Sequence, residues 1–332
     1  MSPADGGLPI INQVRGALLP RRSSYALRVS VLDVCNLRCS YCAPGTVTSP
    51  LHKAQWLQAE EHRALAPHFA AVGVRKVRFT GGEPLVRDDL VDVVAAWRQA
   101  LPDAELAVTT NASRLKEMAA SLRTAGIDRV TVHLDTLRGE RYEALMGRGS
   151  PDRVQEAIAV AQRTFDEVKL NVVVQRGKND DELTDFLRFS RQTGVQVRFI
   201  ELMRTGSAND VVDEAFMAGS EVIARLGAQP IPRRHHSDPA ALFRSDDVVF
   251  GLIASDTEPF CGDCDRLRLT ADGRLRGCLY ESGGLPLGRA LRDGVDDLAL
   301  RALIESKVAR KTSFHPSTDS ERAPFSMAEI GG

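Results

Sequence analysis

The chain has 332 residues, 43% of them apolar and 26% charged, which suffices for a full core in one large domain or two ordinary ones. A formal net charge of −1 argues against a dedicated nucleic-acid binder, and 5% aromatic residues leave few stacking platforms for single strands. No run reaches the roughly 18 apolar residues of a membrane span, and the stretch 6–20 lacks the pattern of a signal peptide, so a cytoplasmic chain is expected, bound to neither membrane nor nucleic acid.

Residues 1–24 hold several Gly and Pro and read as a poorly ordered, flexible lead-in. From residue 25 onward, apolar β-branched runs at 25–34, 76–80, 105–111, 129–135, 168–175 and 196–202 alternate with stretches of helical spacing. The helical stretches are 59–72, 89–100, 115–125, 152–165 and 181–192. This alternation predicts a parallel sheet covered by helices. Special residues collect after the strands, which is where parallel barrels keep their working face. Six repeats fall short of the eight in a closed barrel, so the expected fold is α/β, an open (β/α)6 partial TIM-like barrel over 25–220. Its uncovered side needs a further element. A helix is expected over 211–226, across the boundary, and residues 221–332 are expected to form a second, C-terminal domain with short strands at 248–254 and 266–270 and helices near 285–310.

All six cysteines fall into two trios. Cys35, Cys39 and Cys42 lie in Asp33-Val-Cys-Asn-Leu-Arg-Cys-Ser-Tyr-Cys-Ala-Pro44, directly after the first strand. Cys261 and Cys264 precede Arg266-Leu-Arg268, and Cys278 follows. In a reducing compartment, clustered cysteines are more often metal ligands than disulfides. Three thiolates are one short of the usual four for a closed zinc or iron–sulfur site, so each trio suggests a centre with one open position. The plain alternatives are a zinc site that recruits a ligand elsewhere, or incidental cysteines, for the first trio, and a zinc ribbon lacking one ligand for the second. Arg266 and Arg268 share one face of their strand, beside the second trio, and suit a polyphosphate. The bland alternative is a pair of solvated arginines.

The spacing Cys35-x3-Cys39-x2-Cys42, with Tyr41 before the last cysteine and Gly81-Gly-Glu-Pro84 after the second strand, resembles the radical S-adenosylmethionine (SAM) superfamily. Together with Arg78-Phe-Thr-Gly-Gly-Glu-Pro-Leu85, Val108-Thr-Thr-Asn111, Lys169-Leu-Asn-Val-Val-Val174, Arg198-Phe-Ile-Glu-Leu-Met203, the second trio and the terminal Gly331-Gly332, the chain resembles the GTP 3′,8-cyclases of molybdenum cofactor biosynthesis over about residues 25–332. That resemblance implies two [4Fe-4S] clusters, one on Cys35, Cys39 and Cys42 and one, for the auxiliary C-terminal domain, on Cys261, Cys264 and Cys278. It implies that Tyr41, Gly82, His133 and Met203 contact SAM. Arg28, Arg78, Thr109, Lys169, Arg266, Leu267 and Arg268 would contact GTP, and the Gly331–Gly332 tail would reach into the barrel mouth. No catalytic side chain beyond the cofactors is implied.

The implied reaction starts from a deoxyadenosyl radical that takes the ribose 3′ hydrogen of GTP. C3′ then bonds to C8, and one-electron reduction gives 3′,8-cyclo-7,8-dihydro-GTP. Implied partners are an electron donor, a downstream cyclic pyranopterin monophosphate synthase and a homodimeric second copy. The chain departs from the family pattern at His133, where Ser is usual, and at Val34, Ala43 and Ala112. The rival expectations are another radical SAM enzyme with one auxiliary cluster, such as a peptide maturase, or a non-enzymatic iron–sulfur electron carrier.

Overall fold

The computed structural model describes residues 22–42, 51–203, 212–233, 238–259, 261–281 and 283–311. The expected alternation is present: β1 (Tyr25–Ser30), β2 (Val74–Thr80), β3 (Glu105–Thr110), β4 (Arg129–His133), β5 (Glu167–Val174) and β6 (Gln196–Glu201). Between them run α1 (Ala59–Ala71), α2 (Leu90–Ala100), α3 (Leu115–Ala125), α4 (Gly139–Met146), α5 (Pro151–Thr164) and α6 (Leu183–Thr193). Each strand is sorted by its side-chain parity. In β1, Tyr25, Leu27 and Val29 are buried under the helices, whereas Ala26 and Arg28 turn to the other face. On the helix side, Trp97 of α2 packs against Phe69 of α1 and Phe79 of β2, and all three are fully buried.

The remainder of the chain comprises α7 (Val212–Ala215), α8 (Gly219–Arg225), β7 (Gln229–Ile231), β8 (Ala241–Ser245), β9 (Val248–Ile253), β10 (Arg266–Leu269), β11 (Arg274–Arg276), β12 (Leu285–Pro286), α9 (Leu287–Arg292) and α10 (Asp297–Ala309). The helix expected over 211–226 is two short ones. Between them Met217 is fully buried, and the Gly219 N–H donates to Glu201 Oε1 at 2.7 Å, which breaks the helical path. Helix α4 and the short strands β7, β8, β11 and β12 have no counterpart in the sequence reading.

Among the described residues, one twelve-stranded sheet runs β12-β11-β10-β1-β2-β3-β4-β5-β6-β9-β8-β7. Pairing is parallel from β10 through β1–β6 to β9, and antiparallel at both flanks. The C-terminal residues therefore supply the missing element twice, with β10 on the edge of β1 and β9 on the edge of β6. They continue the same sheet as residues 25–220. The sheet does not close, but it curls. Ile253 of β9 and Arg266 of β10 line one cavity, although seven strand spacings separate them, roughly 34 Å if the sheet were flat.

Candidate active site

The first cysteine loop is built by backbone pairing that outlasts its strands. Val31 N–H donates to Thr80 O, Gly82 N–H to Leu32 O and Glu83 N–H to Val34 O, at 2.9–3.0 Å, so the β1–β2 ladder continues to the residue before Cys35. Only glycine fits there. A Cβ on Gly82 would lie 2.0 Å from the Val34 carbonyl oxygen, and one on Gly81, which has φ +140°, would lie 2.2 Å from that of Leu32. Buried Arg87 donates to Val31 O and Leu57 O, while Asp33 accepts from Leu51 N and Trp56 Nε1. The far side of the loop rests on α4, where Arg38 N donates to Met146 O and Ser40 N to Leu145 O. Cys35 Sγ accepts from the Leu37 N–H at 3.3 Å and faces Asn111 Nδ2 at 3.8 Å.

The second trio sits at the other end of the same barrel. Cys261 and Cys264 lead into β10, which runs parallel to β1, so they lie at the N-terminal end of the strands, whereas Cys35 follows the C-terminal end. A six-residue strand such as β1 covers about 20 Å, which sets the scale of the separation. Glu201, at the end of β6, holds the approach to this trio. Its carboxylate accepts from Asp256 N, Thr257 N, Thr257 Oγ1 and Gly219 N.

All six cysteines line one cavity of about 430 Å³, within the usual range for a small-molecule site. A larger cleft of about 760 Å³ lies at the N-terminal ends of β5, β6 and β9 but carries none of the cysteines, so the chemistry is assigned to the first cavity. Between the trios, strand register sets Arg78, Arg28 and Arg268 side by side on three adjacent strands. Arg266 lies one pleat below and Arg198 comes in from β6.

These cations are crowded. Arg28 is held well below the ordinary guanidinium range by burial, then by Arg268, Arg266, Arg78 and Arg198. Burial, aided by Arg266, pulls Arg268 down to about 10; burial, aided by Arg78, pulls Arg198 down to about 9. Arg78 donates to Thr131 Oγ1 at 2.9 Å and Thr109 Oγ1 at 3.3 Å, and Arg198 to Asn171 Oδ1 at 2.9 Å and Thr131 Oγ1 at 3.2 Å. By contrast, Glu105, Arg129, Glu167 and Lys169 form a chain of ion pairs that neutralises the barrel floor. Desolvated arginines, of which Arg78 and Arg198 donate to neutral side chains, fit a polyanion.

Near the first trio, Tyr41 Oη lies 2.6 Å from His133 Nε2 and donates to Asp135 Oδ2 at 2.9 Å, while His133 Nε2 lies 3.0 Å from the same oxygen. The other oxygen of Asp135 accepts from Val173 N at 2.7 Å. Glu83 is buried and accepts from Leu85 N, Thr110 Oγ1 and Asn111 N, yet burial outweighs these donors and raises it to about 7.

Of the residues implied by the sequence, Tyr41, Gly82, His133, Met203, Arg28, Arg78, Thr109, Lys169, Arg266, Arg268 and the six cysteines all line the cavity. Leu267 does not: its side chain is fully buried in the core beside Leu27, which leaves its backbone as the only group able to face a ligand. Gly331, Gly332 and Ala43 lie outside the described residues. Arg198, Asp135 and Glu201 were not singled out. Arg198 had a readable signal, a charge at the inward parity of a buried strand; the two carboxylates act through backbone donors from distant segments, which leave no local pattern.

Whether the thiols suit iron–sulfur clusters can be judged from their surroundings. Burial pushes the Cys42 thiol up to about 12 and that of Cys261 up to about 11, and raises Cys35, Cys39 and Cys278 as well. Burial acts the same way on Cys264, but Lys311 and Arg266 outweigh it and hold that thiol below its ordinary value. Such thiols become thiolates when a metal charge compensates them. All six cysteines are free thiols, and each trio lines the same cavity at its own end, a donor set that fits an iron–sulfur cluster with one position left for a ligand.

Residues 29–190 match the family model described as the radical SAM superfamily, and residues 195–316 match the one described as Molybdenum Cofactor Synthesis C. A GTP 3′,8-cyclase of Moorella thermoacetica is 38% identical over 313 residues, covering 92% of this chain and 97% of that one. The chain belongs to the GTP 3′,8-cyclase family. Another member, GTP 3′,8-cyclase 3 of Mycobacterium bovis, is 43% identical over 278 residues, 81% of this chain and 74% of its own. Among solved structures, Streptococcus suis SuiB bound to S-adenosylmethionine superposes with a TM-score of 0.58 over 91% of this chain and 75% of that chain, at 14% identity. At that identity the likeness shows the shared fold alone.

Proposed function

We propose that the chain converts GTP to (8S)-3′,8-cyclo-7,8-dihydroguanosine 5′-triphosphate, the first step of molybdenum cofactor biosynthesis, as a radical SAM lyase. The observation that carries this is the pair of three-thiol sets at opposite ends of one cavity with a row of arginines between them. Cys35, Cys39 and Cys42 hold one [4Fe-4S] cluster, and Cys261, Cys264 and Cys278 hold the other. When bound, the first cluster supplies the electron that cleaves SAM reductively.

The residues do the rest. Tyr41, Gly82, His133 and Met203 line the end of the cavity near the first trio and orient SAM there. Arg28, Arg78, Lys169, Arg266 and Arg268, with Thr109 and the backbone at Leu267, hold the triphosphate and set the ribose between the two ends; Arg198 joins them. Gly331 and Gly332 belong to the same reading as tail residues that would reach into the barrel mouth, where the lack of side chains permits close backbone approach. With its ligands bound, the cavity keeps water from the reacting carbons, so the protein contributes orientation and exclusion rather than an acid or base. An external electron donor, a downstream cyclic pyranopterin monophosphate synthase and a homodimer complete this proposal. Among the described residues, no helix is long and apolar enough to cross a membrane.

Anaerobic incubation of the reconstituted chain with GTP, SAM and dithionite should yield the cyclised nucleotide by mass spectrometry. The Cys39→Ser variant should form no 5′-deoxyadenosine. SAM cleavage without a nucleotide product in the native chain would overturn the substrate, and undiminished cleavage in Cys39→Ser would overturn the radical SAM chemistry.

A further inference from the structure

Lys311 lies two residues beyond α10 and is only 4% exposed. Its ammonium has three N–H donors. One donates to the carbonyl of Arg266 at 2.7 Å, one to the carbonyl of Gly277, and the third faces Cys264 Sγ at 3.7 Å. Among the described residues no carboxylate pairs with it. The nearby carboxylate of Glu281 is occupied by Lys307 and by the Gly277 N–H. Among the described residues, Lys307 thus has its counter-charge and Lys311 does not.

A buried cation with only neutral partners is expensive. The group in line to offset it is the sulfur of Cys264. We propose that Lys311 is a positioning residue for the cluster on Cys261, Cys264 and Cys278, its charge orienting the Cys264 thiolate and raising the cluster's reduction potential. The inference rests on the reading of this trio as a cluster site. Reduction adds a negative charge to the cluster, and a fixed positive charge beside one of its sulfurs favours the reduced state. The same ammonium clamps the first residue of β10 and the residue after β11 by their carbonyls, which ties the segments that carry Cys264 and Cys278.

The test uses the full-length chain with Cys35→Ala, Cys39→Ala and Cys42→Ala, reconstituted anaerobically so that only the second cluster contributes. Its midpoint is read by redox titration with electron paramagnetic resonance, for Lys311 and for Lys311→Met and Lys311→Arg. At a fixed potential, Lys311→Met should lower the reduced-to-oxidised ratio by about tenfold or more, equivalent to a drop of about 59 mV for one electron, and Lys311→Arg should stay near the parent. Loss of the cluster in Lys311→Met but not in Lys311→Arg also supports the proposal. An unshifted midpoint in Lys311→Met, or equal effects in both variants, would overturn it. Failure of the parent itself to bind iron would instead reject the cluster reading beneath it.

Discussion

His133 carries a geometry that a serine at the same place would not reproduce. Its Nε2 lies within hydrogen-bonding distance of both Tyr41 Oη and Asp135 Oδ2, which ties the cysteine loop to the end of β4. Burial lowers the imidazole pKa, but the charge and hydrogen bond of Asp135, with Glu83 behind it, outweigh burial and the net direction is upward. Tyr41, Asp135 and Glu83 are the titratable groups that face it. A base whose folded pKa exceeds its unfolded value contributes stability that is complete below the unfolded pKa and is lost as pH rises through the folded one. The native chain should therefore exceed His133→Ser by about 1.5–3 kcal/mol near pH 6, with the gap shrinking as pH rises past the ordinary imidazole range. Urea unfolding of the two cluster-free proteins at pH 6 and pH 9 reads this directly, and a gap that does not shrink would argue for a neutral imidazole.

At the scale of elements, the Gly81–Gly82 turn acts as a continuation of β2 that grips the cysteine loop by backbone alone. Glycine is required because the contact is backbone against backbone, which cannot yield as a flexible side chain would. Gly82→Ala must push Val34, and with it Cys35, out of place, at a cost of about 1–3 kcal/mol or more. The variant should lose the iron held by the first trio while the second keeps its share, as measured by metal analysis and SAM cleavage. Gly262→Ala is the control: it lies between Cys261 and Cys264, yet a Cβ there meets nothing within 4 Å. Equal iron loss in both variants would mean that general instability is the cause.

For the whole molecule, the curl of the sheet brings Arg28, Arg78, Arg198, Arg266 and Arg268 from four strands into one desolvated group. Their mutual repulsion is a standing cost that a polyphosphate would relieve. GTP should raise the melting temperature of the cluster-free chain, by an amount corresponding to about 2.7 kcal/mol at a hundredfold excess over Kd. Guanosine, without phosphates, should do little. The shift should shrink in high salt, though less than for exposed charges, because buried groups are screened less. Equal stabilisation by guanosine would move the recognition from the arginines to the base.

The six βα strands and the two cysteine trios were readable along the chain, together with about a third of the residues that line the cavity. Each rests on local pattern: period-two burial in strands, helical spacing between them, and ligands closely grouped in sequence within each trio. The family could be recognised for the same reason, since its motifs are short runs at strand ends. Long-range pairing was not readable. Nothing near residue 266 says that β10 joins β1, or that β9 joins β6, because a parallel edge is chosen by what the rest of the sheet leaves open. That choice puts the two trios at opposite ends of one cavity, aligns the arginines in register and aims Lys311 at Cys264. Such contacts join residues far apart in the chain, and their energies exist only after the sheet has curled.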